Sequence, residues 1–310
     1  MILVFGSLNM DLVMTVPTLP RPGETVLTES YVTKPGGKGN NQAVAAARAG
    51  ARVVMAGAVG ADEFGRRLVD NLRENGVDPA RVATADKPTG VAYICVDAKA
   101  ENFIAVASGA NLAASADLAP DDALRPGATV LLQMEVPPAQ NWAVVQRARD
   151  AGARTILNVA PAAPVPRDAL EALDVLVVNE LEAATVAAEL ELDTEGPATS
   201  ARLLAREVGL TCVVTLGSQG AIAADGDRLW QVDPMRVEPV DTTGAGDAFT
   251  GVLAAALDAG LDLPQALRRA SVGAALACLA LGAQESLPTA DAIDAALDRV
   301  PPPKLVTNGT

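Results

Sequence analysis

Val240–Gly251, VDTTGAGDAFTG, divides the chain into two kinds of sequence. Upstream, short apolar runs alternate with longer Ala-, Leu- and Arg-rich stretches; from Asp247 onward the pattern is almost wholly helical. At the junction Gly244, Ala245 and Gly246 are nearly bare of side chains and lead straight into a carboxylate, Asp247. Small residues at a helix start leave backbone N–H groups open to a ligand, and the helix dipole adds about half a positive charge there. Such a place is a main-chain anion hole. A carboxylate beside a bound phosphate suits a base that takes the proton of an attacking hydroxyl. The competing reading is a helix cap above a glycine turn.

Working outward, strands are expected at Ile2–Phe5, Arg52–Ala58, Thr129–Met134, Thr155–Val159, Val175–Val178 and Cys212–Leu216. Helices are expected near Gly39–Ala49, Glu63–Asn75, Ala139–Ala151, Leu181–Leu190 and Ala198–Val208. The strands are continuously apolar, which predicts a doubly wound, mostly parallel α/β sheet with helices on both faces. Ala221–Ala224 and Leu229–Val232 read as a hairpin turning at DGD. Further helices are expected at Asp247–Ala259, Leu263–Leu281 and Ala290–Arg299. Two stretches, about 11–35 and 90–108, break the rhythm and are read as a small β lid inserted into one domain spanning 1–300. The tail, 301–310, is expected to lack order.

Composition excludes several functions. The 310 residues contain no histidine, so acid–base work falls to carboxylates, Lys, Tyr or Cys. The net charge of −14 carries no basic block, which argues against a nucleic-acid partner. No apolar run reaches the ~18 residues of a membrane span, and the N-terminus lacks the basic region of a signal peptide. Cys95, Cys212 and Cys278 sit in apolar surroundings without metal-ligand spacing and read as reduced thiols of a cytoplasmic protein.

Other polar groups fall at strand ends or helix starts, where open α/β sheets bind ligands. PGGKGNNQA, Pro35–Ala43, departs from a Walker A loop but offers Lys38, Asn40, Asn41 and Gln42 as heads for polyol hydroxyls, or else a Gly-rich helix cap. In SLNMD, Asn9 and Asp11 lie two apart and can face one way, or form an Asx turn. Glu135 ends LLQME. Asn179 and Glu182 in VVNELE supply oxygen ligands suited to water-held Mg²⁺, or a capping box. Thr215 opens a glycine turn. Their convergence fits phosphoryl transfer from a nucleotide to an alcohol.

GGKGNNQA and DTTGAGDAFTG, in this order, resemble the signatures of the ribokinase (PfkB-type) carbohydrate kinase family, and the likeness runs from about Ile2 to Arg299. The resemblance implies a homodimer formed through the lids, with ATP, Mg²⁺ and a K⁺-type cation as cofactors. It makes Asp247 the base and Gly244, Ala245 and Gly246 the anion hole. Asn9, Asp11, Gly37, Lys38, Asn41 and Glu135 match the positions that hold sugar hydroxyls, and Ala92 and Val106 the apolar lid positions. Asn179 and Glu182 match the pair that organises Mg²⁺ and phosphates; Thr215, Gly217 and Gly246 match nucleotide contacts. Asp241, Thr243, Ala277, Ala280, Gly282 and Ser286 match the surroundings of the monovalent cation. Ser271, Ala280 and Leu281 depart from the residues common on the adenine side.

The expected activity is therefore ATP-dependent phosphorylation of the 5-hydroxyl of D-ribose to ribose 5-phosphate. The alternatives are a kinase of a fructose or 2-keto-3-deoxygluconate type sugar and a sugar-binding regulator without catalysis. A sugar acid asks for an Arg near the lid; none lies in 90–107, and Arg21 is the nearest.

Overall fold

A computed structural model describes residues 1–306 apart from 98, 100 and 101. The chain opens with β1 (Ile2–Phe5) and then leaves the main sheet for β2 (Asn9–Thr15) and β3 (Tyr31–Gly36). Helix α1 (Lys38–Arg48) returns it to β4 (Val53–Gly60), α2 (Glu63–Glu74) and β5 (Val77–Ala85). A second excursion, β6 (Gly90–Val96) and β7 (Asn102–Ala107), precedes β8 (Thr129–Leu132), α3 (Pro138–Asp150), β9 (Arg154–Asn158) and the short α4 (Arg167–Leu170). Then come β10 (Val175–Asn179), α5 (Glu180–Glu189), α6 (Pro197–Val208) and β11 (Thr211–Thr215). The hairpin β12 (Ala221–Asp225) and β13 (Arg228–Val232) leads to α7 (Ala245–Asp258), α8 (Leu263–Ala277), α9 (Ala290–Ala296) and β14 (Lys304–Leu305).

The main sheet has the order β14-β13-β12-β11-β10-β9-β8-β1-β4-β5, parallel from β11 to β5 and antiparallel at the β12–β14 end. Alternation of side chains along each strand feeds two cores. Ile2, Val4, Val175, Val177 and Val213 pack with α1, α7, α8 and α9 on one face. Leu3, Phe5, Leu176, Val178 and Val214 pack with α3, α5 and α6 on the other. This is the doubly wound α/β arrangement implied by the continuous apolar runs. The second sheet, β3-β2-β6-β7, is the lid, assembled from both inserted stretches. Among the described residues no helix is long and apolar enough to cross a membrane.

Four details differ from the sequence expectation. Strand β5 was hidden because it is a half-exposed edge strand interrupted by Pro79, and its pairing with β4 shifts register between Val54 and Ala56. Strand β8 ends at Leu132, before Gln133 and Glu135, so both lie beyond the sheet at its ligand-facing end. Helix α8 stops at Ala277 rather than Leu281, and the Cys278 carbonyl accepts from Val240 N and Asp241 N, tying the helix end to the loop before α7. The tail is ordered in part: Lys304 and Leu305 pair with Gln231 and Trp230, while 307–310 lie outside the described residues.

Candidate active site

The site forms where β1, β8, β9, β10 and β11 end and α1 and α7 begin. Gly244 caps α7 in the left-handed region at φ 77°, a conformation glycine adopts without strain, and a Cβ there would press on Ala283 at 3.0 Å. A Cβ on Gly246 would meet open space, so its bareness keeps the cleft clear rather than easing packing. The first helical bond runs from Ala248 N to Gly244 O. Ala245 N donates to Thr242 O at 3.2 Å, whereas the N–H groups of Gly246 and Asp247 have no acceptor among the described residues. The Gly246 N–H thus belongs to the bare run that the sequence singled out, and the Asp247 N–H follows it directly.

Asp247 is in the first turn of α7 and only 7% exposed. Its Oδ2 accepts from Asn41 Nδ2 at 3.0 Å and its Oδ1 from Gln42 Nε2 at 2.9 Å. Both amides come from α1, whose N-cap, Gly37, holds φ 89°; a Cβ there would lie 2.7 Å from Asn9 N. Lys38, the first residue of α1, faces the acidic side chains of the cleft. Asp247 is the largest influence raising its ammonium above the ordinary range; Glu135, Glu182 and Asp11 add to this and burial opposes it.

Asn9, Asp11 and Glu135 stand on the lid side. Asn9 is buried, and its Oδ1 accepts from Asn111 Nδ2 at 2.7 Å, which leaves its own Nδ2 to face a ligand. Glu135 Oε2 accepts from Ser7 Oγ at 2.6 Å and from Lys38 N at 3.0 Å, so the carboxylate is fixed against the start of α1. Asp11 lies over Gly36, where a Cβ would come within 2.2 Å of its carboxylate. Burial, then the charges of Glu135 and Asp247, push its carboxyl up to about 7. The lid register sets Lys34, Asp11, Ala92 and Val106 side by side across the four strands, on one face of the sheet. Ala92 is buried and Val106 is 48% exposed.

On the far side, Asn179 and Thr215 are register partners at the ends of β10 and β11. Asn179 Oδ1 accepts from Glu182 N and Glu182 Oε2 accepts from Asn179 N, both at 2.8 Å. The capping box is thus formed. Glu182 is nevertheless buried and within electrostatic reach of Lys38 and Asp247; burial pushes its carboxyl up. Thr215 Oγ1 donates to Val178 O, and Gly217 begins a short turn at φ 54°.

Asp241 accepts from Thr243 N and Gly282 N, both at 2.9 Å. Partial burial works to raise this carboxyl, but those donors and the Lys34 ammonium outweigh it and hold it below the usual carboxylate range. Ser286 Oγ donates to Gly282 O at 2.7 Å, close to the end of α8 at Ala277 and to exposed Ala280. An ionised carboxylate among hydroxyl and main-chain oxygens fits a monovalent cation. Among the described residues no cluster of three acidic or thiol side chains is poised to grip a metal. Asn179 and Glu182 offer an amide and a carboxylate oxygen, donors of the kind that suits a water-held Mg²⁺.

Two expected hydroxyl ligands point elsewhere. Asn40 is buried and donates to Gly36 O at 3.1 Å, and Gln42 is buried against Asp247. Conversely, Ser7, Asn111, Gln133, Asn158 and Gln284 all brace the site and were not singled out. Their signal was faint: an amide interrupting or ending an apolar run, as in LLQME and TILNV. A groove of about 610 Å³ lies at the opposite end of the strands, where β8, β9 and β10 begin. Its Arg149 and Arg154 donate to the Glu171 and Leu257 carbonyls, and Asp258 takes the N-terminal ammonium.

A buried carboxylate beside open helix N–H groups, with amide and carboxyl side chains facing it, defines a kinase cleft that phosphorylates an alcohol. The model of the pfkB family carbohydrate kinases matches residues 1–290. The ribokinase of Bacillus subtilis (strain 168) is 38% identical over 301 residues, covering 94% of this chain and 98% of its own. That of Haemophilus influenzae is 34% identical, covering 92% and 94%. Among solved structures, the ribokinase of Thermotoga maritima superimposes with a TM-score of 0.89 at 30% identity, over 96% of this chain and 99% of that one. Arabidopsis thaliana ribokinase complexed with ribose and ATP gives 0.85 at 30% identity, over 96% and 98%. The chain belongs to the pfkB family of carbohydrate kinases.

Proposed function

We propose that the chain transfers the γ-phosphoryl group of ATP to the 5-hydroxyl of D-ribose, forming ribose 5-phosphate and ADP. The carrying observation is the placement of Asp247: its carboxylate is buried at the start of α7 beside the open Gly246 and Asp247 N–H groups. The ribokinase names of the full-length relatives, and the ribose and ATP bound by the Arabidopsis protein, support ribose as acceptor and ATP as donor.

Each Asp247 oxygen accepts one amide and retains a lone pair. Asp247 takes the hydroxyl proton as the sugar oxygen attacks the γ-phosphorus, and the bond from that phosphorus to the bridging oxygen breaks to release ADP. The free N–H groups and Lys38 stabilise the charge that collects on the transferring group. Asn9, Asp11, Gly37, Asn41 and Glu135 hold the sugar hydroxyls under Ala92 and Val106. Asn179, Glu182, Thr215 and Gly217 border the nucleotide. Asn179 and Glu182 would hold Mg²⁺ through water, and Asp241, Thr243, Ala277, Ala280, Gly282 and Ser286 would surround K⁺. When bound, these ions would neutralise phosphate charge.

The outer lid is apolar and open: Tyr31, Phe103 and Ile104 are 60%, 57% and 52% exposed. Such a surface at a sheet with two free edges suits pairing with a second copy. Cys95, Cys212 and Cys278 are free thiols, in keeping with a reducing, cytoplasmic setting. Coupled detection of ADP across a sugar panel, with and without Mg²⁺ and K⁺, tests the reading. Turnover greatest with ribose is expected; tight ribose binding without any turnover would favour a regulator, and preference for a ketose or sugar acid would reassign the acceptor.

A further inference from the structure

The geometry points to Gln42 as the positioning residue of the catalytic base, rather than as a sugar contact. Its side chain is fully buried. Its Nε2 donates both to Asp247 Oδ1 and to Asn158 Oδ1, each at 2.9 Å. Its Oε1 accepts from Gln133 Nε2 at 2.7 Å. Asn158 is fixed in turn by donating to Val177 O at 3.0 Å. The three partners leave one orientation for the Gln42 amide: a flip would set its oxygen against a carboxylate and an amide oxygen, and its NH₂ against an NH₂. The second arm on Asp247, Asn41, is itself anchored by Gln284 Nε2 at 2.9 Å.

The two arms differ in what they can reach. Asn41 is at the cleft wall, whereas Gln42 faces inward, towards the ends of β8 and β9, and can act on the reaction only through Asp247. A donor fixed on both of its other sides confines the carboxylate to one rotamer. Such confinement sets the distance from base to hydroxyl, to which proton transfer is sharply sensitive. Gln133 and Asn158 extend from strand ends, so the sheet itself aims the base.

This rests on the reading of Asp247 as the base, and the two fail differently. If wild type forms no ADP with any sugar, that reading fails. With active wild type, the test is Gln42→Met, which keeps the volume and removes the amide. Expected is a fall in kcat, per folded molecule, of about 10- to 100-fold with ribose KM changed less than about threefold. A purely structural loss lowers the folded fraction and leaves kcat per folded molecule unchanged. If Gln42→Met does not fold, Gln133→Met, which frees the Gln42 amide to turn, must show the same split in smaller degree. An unchanged kcat in the folded variant, or a raised KM with unchanged kcat, overturns the assignment.

Discussion

The two walls of the cleft are built by opposite means. Where α1 meets α7, buried amides converge on one carboxylate: Gln42, Asn41, Gln133, Asn158 and Gln284 all join a network around Asp247. Across the cleft, the lid is rooted near Asn9 and Gly90, but its outer strand β7 exposes Phe103, Ile104 and Val106. The body holds the root of this sheet through the buried Asn111–Asn9 bond and touches its rim through Arg67, which donates to Thr33 Oγ1 at 2.9 Å, and Glu285, which pairs with Lys34 at 3.1 Å. The Asp247 carboxylate is thus held by two buried amides, while the outer strand of the lid faces solvent. A buried amide network holds a charged group in one place, whereas an exposed apolar sheet leaves surface for a further contact.

Breaking the rigid wall has the largest expected effect. Asp247→Asn keeps the shape and removes the base, so kcat falls by about 1,000-fold or more while the ribose Kd, read by calorimetry, stays within a few-fold. Near-normal turnover in this variant contradicts the role. Next, Gly246→Val adds a side chain whose Cβ would meet open space in front of α7. Activity should fall by about 100-fold with little change in melting temperature. A large loss of stability with normal activity in the folded fraction would place Gly246 in packing instead.

On the lid side, Asp11 titrates near 7 and predicts a milder, pH-linked effect. In the empty protein the folded chain keeps a proton that the unfolded chain releases near the ordinary 3.8. The contribution of Asp11 to stability is therefore complete below that value and lost as pH rises through about 7. A carboxylate accepting sugar hydroxyls favours the ionised form, so the ribose Kd weakens as pH falls below about 7. Asp11→Asn should flatten this dependence; a wild-type Kd unchanged between pH 5 and 8 speaks against Asp11 as a sugar ligand. The smallest effect is expected from Ile104→Asp at the open edge of the lid. It should convert a dimer to a monomer in sedimentation and raise ribose KM a few-fold with kcat nearly intact. Unchanged sedimentation would remove the lid as the contact.

Much of this was legible in advance, for reasons that mark its limits. β1, β9, β10 and β11 are apolar on both faces, which leaves a continuous run in the sequence. An edge strand such as β5, half solvated and interrupted by Pro79, leaves none. Asp247 was visible because a helix start without side chains is unusual. The groups that hold it were not, since a buried amide such as Gln133 or Gln284 has no periodic trace and its partner lies far along the chain. Asn179 and Glu182 close the capping box that their spacing allowed, and Glu182 also lies within electrostatic reach of Lys38 and Asp247.

The most direct test is a crystal structure of the chain with ribose and a non-hydrolysable ATP analogue. An Asp247 carboxylate oxygen is expected within about 3 Å of the ribose 5-hydroxyl, with the Gly246 N–H turned to the terminal phosphate. A 5-hydroxyl resting on another group, with Asp247 facing away from both ligands, would contradict it.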